Sequence, residues 1–123
     1  MANPNILNVT SIYGNTTYLV PTGTTATTWT TLTPASGSVN KVNSIMAANI
    51  TATAANITVS VNSAISGGGT AYRLAYQISV PAYATIILSD KSTSFYIGES
   101  QSVVVTSGTS NAIELISSYE VIT

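Results

Sequence analysis

Asp90, Glu99, Glu114 and Glu120 are the chain's four acids, and Lys41, Arg73 and Lys91 its three bases. Their types and spacing limit the chemistry on offer. Glycoside hydrolysis needs two opposed carboxyls about 5–9.5 Å apart. Glu114 and Glu120 share a parity in "AIELISSYEVI", six residues apart, which is roughly 20 Å along a strand. They do not make that pair. Asp90 and Glu99 sit beside turn residues in "SDKS" and "IGES" and read as solvated edge charges. A Ser/Lys nucleophile would need Lys41 or Lys91, and Lys91 lies in the turn-like "SDKST". Histidine and cysteine are both missing. That removes the commonest neutral-pH base, the thiolate nucleophile, disulfide stapling and His- or Cys-ligated metal sites together. Calcium asks for several acidic oxygens in one loop, and no stretch offers more than one acid. "SGGGT" lacks the flanking Lys and the strand-to-helix setting of a phosphate loop. The expectation is a protein without catalytic residues, metal or cofactor.

Aromatic side chains offer binding rather than reaction. Tyr72 and Tyr76 share a parity, Tyr83 follows Pro81, and Tyr96 and Tyr119 fall on later apolar runs. Such rings stack on sugars when they form an open platform, and fill cores and interfaces otherwise. No cluster of Asp, Asn or Arg accompanies them, so packing is favoured over carbohydrate. Trp29, Tyr72, Tyr76, Tyr83 and Tyr96 are the candidates for interface or glycan contacts.

At 123 residues the chain suits one domain with a modest core. Charged residues are 6% and hydrophobic ones 45%, with a formal net charge of -1. The apolar content suffices for folding. Three scattered bases do not make a phosphate-neutralising face, so nucleic acid is not an expected partner. The opening "MANPNILNV" has no basic region or apolar segment of signal-peptide length. No apolar run approaches the roughly 18 residues of a membrane helix. Asn-x-Ser/Thr sequons at Asn8, Asn15, Asn49 and Asn56 read as accidents of a Thr- and Asn-rich composition.

The elements that position these residues are strands. "NILNVTSIY" reads as a first strand, "YGN" as a turn, and "TTYLV" as a short strand ending at Pro21. Residues 22–38 are Thr-rich, with Trp29 and Leu32 as the only large anchors, and read as an extended arm or edge strand. "VNKVNSIMAANIT" places Val42, Met46, Ala48 and Ile50 on one parity. "NITVSVNSAI" alternates cleanly, and "SGGG" at 66–69 joins it to "YRLAYQISV" as a hairpin. That second run reads as a central strand with Arg73 and Gln77 on its wetter face. "TIIL", "SFYIGES", "QSVVVTSG" and "AIELISSYEVI" complete eight or nine strands separated by turns. The pattern predicts an all-β, antiparallel β-sandwich with jelly-roll or immunoglobulin-like wiring. Its expected core includes Ile57, Val59, Val61, Leu74, Ile78, Val103 and Val105. Residues 1–38 form N-terminal strands and the arm, residues 39–123 the sandwich core, together one structural domain.

From Val39 onward the order and spacing of "KVNSIMAANITATAANITVSV", "GGGTAYRLAYQISVPAYATIILSD" and "FYIGESQSVVVTSGTSNAIELISSYEVI" resemble small all-β virion proteins of tailed bacteriophages, including those infecting cyanobacteria. The opening "MANPNILNVTSIYG" is similar to the start of such proteins. Many of them carry Asp where this chain has Glu99. The resemblance covers roughly two thirds of the chain and implies a non-enzymatic structural part of a virion, by capsid decoration or at the neck or tail. It carries over no binding residues. It implies assembly with other virion proteins. The short chain, its nearly uncharged surface and the apolar-poor Thr-rich segment predict a homo-oligomer, with the first 38 residues in its contacts and the arm pairing on a neighbour's edge strand; by analogy with virion proteins it is a trimer. The rival expectation is a monomer attached singly to a capsid lattice, with residues 22–38 folded back on its own sheet. A carbohydrate- or host-receptor-binding module is the alternative.

Overall fold

Thr, Val, Ile and Tyr fit a pleated surface, and Asn, Gly and Ser break it into short runs. The backbone therefore satisfies its polar groups in ladders rather than helices. The computed structural model describes residues 4–123. Nine strands follow one another: β1 Ile12–Leu19, β2 Thr27–Thr28, β3 Val39–Asn49, β4 Ala55–Asn62, β5 Ala71–Val80, β6 Thr85–Ser89, β7 Phe95–Ile97, β8 Ser102–Ser107 and β9 Ile113–Ile122. Single 3₁₀ turns occupy Thr30–Leu32, Ile65–Gly67 and Lys91–Thr93. One sheet runs β1-β9-β3-β6, with β7 also paired to β3, and the other runs β2-β8-β4-β5. All pairs are antiparallel. The two sheets pack through one apolar cluster, so the expected all-β architecture of stacked antiparallel sheets is found.

Val42, Ile45, Ala47, Ile97, Ile113 and Leu115 line the core from the first sheet, and Ile57, Val59, Val103 and Val105 from the second. Val61 and Leu74 pack against this cluster half-buried. Ile78, also expected in the core, is 42% exposed. Its strand, β5, lies at the sheet edge and not at the centre. Two register shifts in the β4–β5 ladder put extra residues on β5. Gln77 takes up one of them with φ 48°, and its backbone N–H donates to Thr58 Oγ1 at 2.9 Å. The bulges break the clean alternation of "YRLAYQISV": Ala75 and Val80 point inward, while Tyr72, Tyr76 and Ile78 are exposed. A similar event corrects β3. A bulge between Val42 and Ser44 shifts its parity. Val42, Ile45 and Ala47 are buried, whereas Met46 and Ala48 are half-buried and Ile50 exposed.

The N-terminal third also departs from expectation. Residues 5–8 form a turn closed by the Asn8 N–H donating to the Asn5 carbonyl at 3.0 Å, and the strand begins only at Ile12 and runs through "YGN" without turning. Gly14 pairs with Glu120 and Asn15 with Tyr119. The long β9 template overrides the local turn preference, as tertiary pairing commonly does. The Thr-rich segment does not reach away from its own domain. Thr27 and Thr28 pair with Val105 and Val104, and Trp29 donates its backbone N–H to the Val103 carbonyl at 2.8 Å. Trp29 and Leu32 are 1% and 0% exposed, inside the cluster formed by residues beyond 39. Asn40 Nδ2 donates to the Leu32 carbonyl at 2.8 Å, tying the turn down. Of the two readings of this segment, the edge strand folded onto its own sheet is the one found, and its anchors Trp29 and Leu32 belong to the sandwich core.

The Ser66–Gly69 stretch does form the tip of the β4–β5 hairpin, but the tip lies down on the second sheet. Gly67 has φ +76°, and a Cβ there would stand 2.8 Å from Thr28 Oγ1. Glycine meets both demands. Asn62 Nδ2 holds the Gly67 carbonyl at 2.9 Å, and Gly67 N–H donates to Ser102 Oγ at 3.0 Å.

Trp29 decides between a docked segment and a dispensable arm. Trp29→Ala is expected to cost about 3–5 kcal/mol of unfolding free energy, as for large aromatics removed from cores. Urea unfolding measures it, and a loss below about 1 kcal/mol would mean the segment is not integral.

Candidate functional site

The acids stay apart in kind. Asp90 caps the turn at Lys91–Thr93, accepting from Ser92 N at 3.0 Å and Ser92 Oγ at 2.6 Å. The Ser92 hydroxyl, then the Ser92 backbone N–H, hold its carboxyl below the ordinary aspartate value. Glu99 Oε2 accepts from the Gly37 N–H at 2.7 Å, joining the β7–β8 turn to the segment before β3. Glu114 and Glu120 lie on the same outward face of β9, as their parity requires. Among the described residues, no group of three or more His, Cys, Asp or Glu gathers to hold a metal. An open hollow of about 410 Å³ is lined by Ser63, Ala64, Ile65, Glu99 and Ser100. It brings together one carboxylate and neutral side chains, which is no acid–base pair.

The aromatic candidates separate as well. Trp29 is core, its Nε1 donating to Thr17 Oγ1 at 3.4 Å, so it is not a surface contact. Tyr72 and Tyr76 are exposed on the β5 edge. The Arg73 guanidinium carbon lies 5.1 Å from the Tyr76 ring centroid, within cation–π range. Tyr83 projects from the Pro81–Ala84 turn joining the sheets, and Tyr96 from β7 in the other sheet. Apart from the β5 pair, the candidate tyrosines lie on different elements.

A surface that sequence reading missed lies on the outer face of the first sheet. Leu19 and Leu115 point inward, so their neighbours Tyr18 and Ile116 point outward. Tyr18 pairs with Ile116, Ile116 with Met46, and Met46 with Ile87. One apolar row therefore crosses all four strands, β1 to β6. Tyr18 is 76% exposed, Ile87 65% and Ile116 41%. Below it runs a row of Thr16, Ser118 and Ser44, and beyond that Gly14, Glu120, Lys41 and Tyr96. Above it, Glu114 pairs with Ala48 and Ala48 with Thr85. A hollow of about 240 Å³ between Tyr18, Val20, Glu114, Leu115 and Ile116 roughens this face. Tyr18, Met46 and Ile87 lie within apolar runs that hide their outward aim, and Ile116 alone, flanked by Glu114 and Ser118 on its own parity, signals the row in sequence.

No protein-family model matches the chain, and no curated protein matches it.

The Asp90 cap carries a pH signature. A carboxyl with a lowered folded-state pKa stabilises the fold above its unfolded-state value, and that contribution is lost as pH falls through the folded-state value. Asp90→Ala is expected to lower Tm at neutral pH, with the gap from the wild type narrowing below the usual aspartate range. Thermal unfolding followed from neutral pH down to about pH 2 reads it; a gap that does not change contradicts the cap.

Proposed function

We propose that this protein is a non-enzymatic structural component of a tailed-phage virion, assembling through protein–protein contacts. The observation that carries the reading is the exposed apolar row Tyr18, Ile116, Met46 and Ile87 across one sheet. Contiguous apolar surface rimmed by polar residues is typical of a contact with another macromolecule. The near-uncharged composition supports it, since a surface covered in an assembly needs little charge for solubility. The resemblance of residues 39–123 to phage virion proteins supplies the setting. We read the wiring as jelly-roll-like: β3 and β4 cross between sheets, as do β8 and β9, while β3 pairs β9 and β4 pairs β8. Capsid decoration, neck and tail all fit this reading.

A carbohydrate-binding module is the second reading, favoured by Tyr72 and Tyr76 beside Arg73 on the β5 edge. The guanidinium occupies one face of the Tyr76 ring, which lessens the platform left for a sugar. Saturable glycan binding lost in Tyr72→Ala or Tyr76→Ala would promote it.

Peptide mass spectrometry of purified particles from a phage carrying this gene tests the virion role. The protein is expected in the particles at a fixed ratio to the major capsid protein. Abundance in the infected lysate with absence from washed particles would overturn the role.

A further inference from the structure

We propose that the outer face of the first sheet is the contact between two copies of this chain, related by a twofold axis close to the strand direction and lying between β9 and β3. The inference deepens the assembly reading above and rests on it only in that copies associate. Its argument is the pattern on the face. Such an axis exchanges β1 with β6 and β9 with β3 between facing copies. Tyr18 then meets the second copy's Ile87, and Ile116 meets its Met46. The apolar row buries itself against its own image.

The charges obey the same operation. Glu120 and Lys41 are register partners on β9 and β3, so the axis sets Glu120 against the other copy's Lys41, and the reverse. Four charges alternate in sign around the axis. Glu114 meets Ala48, and Ser118 meets Ser44, so no like charges are opposed. The other face-to-face twofold, running across the strands midway between the outer rows, fails this test because it sets Glu114 against Glu120. Self-complementarity of one patch is what a twofold contact requires, and opposed potentials fix its register.

Area is sufficient. Four strand positions about 4.8 Å apart, the fourth shared by β6 and β7, over roughly eight residues each, give a flat footprint of about 500 Å² per copy before side-chain relief. Two copies reach roughly 1,000 Å² in total, the lower bound for a biological interface. The hollow beside Tyr18 and Val20 gives the patch relief for an incoming side chain. The second sheet offers no equal face, because the 65–67 turn lies over Val104 and Thr28.

The test uses thiol cross-linking in a chain that has no cysteine of its own. Facing sheets lie about 10 Å apart, beyond the roughly 7 Å that a disulfide tolerates between Cα atoms, so a short bifunctional thiol-reactive linker takes the place of direct oxidation. Tyr18 and Ile87 stand three strands apart, about 14 Å within one copy, whereas across the axis they face each other. The double variant Tyr18→Cys with Ile87→Cys is expected to form a covalent dimer with the short linker, and either single variant far less. The unmodified protein is expected at twice its 12.7 kDa chain mass by light scattering. Lys41→Glu is expected to weaken the dimer roughly tenfold or more, and adding Glu120→Lys to restore it, with circular dichroism unchanged throughout. A monomer or trimer by mass, single variants that cross-link as well as the double, or a dimer indifferent to the charge reversal would each overturn the inference. A monomer nonetheless found in phage particles would overturn the twofold contact alone and leave the virion role standing.

Discussion

The β3–β9 ladder is the interaction on which the rest of the molecule hangs. β9 lies between β1 and β3, and β3 in turn carries both β6 and β7 on its other side. Ten register pairs join the two strands, from Val39–Ile122 to Asn49–Ile113. The bulge at Val42–Ser44 gives this ladder its particular outcome. Without the bulge, Lys41 and Met46, five positions apart, would point to opposite faces, because a strand alternates with period two. With it, Val42, Ile45 and Ala47 all enter the core, while Lys41, Ser44 and Met46 share the outer face. One inserted residue thus reconciles a continuous core with a continuous surface pattern.

At the end of β3, Asn49 performs a comparable task for the chain's passage between sheets. Its Nδ2 donates to the Thr53 and Val80 carbonyls at 2.8 and 3.0 Å, and its Oδ1 accepts from Thr51 N at 2.9 Å. A buried amide with every group engaged specifies one corner geometry, since leaving any of these groups unpaired would be costly. The sequon at this position is therefore spent on structure. Asn8, Asn15 and Asn56, by contrast, lie exposed.

How much of this was legible beforehand depends on where the bulges fall. β4 alternates in sequence and in space, so Ile57 and Val59 were readable as core. β5 alternates just as well in sequence, yet its extra residues exist only relative to β4, and periodicity cannot count them. "YGN" carries genuine turn chemistry, overridden by a partner more than a hundred residues away. Trp29 announced packing by being a lone large aromatic in a polar tract, although its place in this chain's own core required the fold. The outer row was the least legible feature. Tyr18, Met46, Ile87 and Ile116 are far apart in the chain, and only the register of four strands makes them neighbours.

The strand ends and bulges bear on how this protein behaves at high concentration. Three bases and four acids provide little colloidal repulsion, and open sheet edges are templates for uncontrolled growth. Here most edges are interrupted. β2 has two residues, β5 is kinked by its bulges, and the flank of β3 is divided between two short strands by the Lys91–Thr93 turn. β1 is the unbroken exception, with eight residues. Geometry thus substitutes for charge in limiting filament formation, and it leaves the molecule able to crowd closely against its neighbours without fusing into a common sheet.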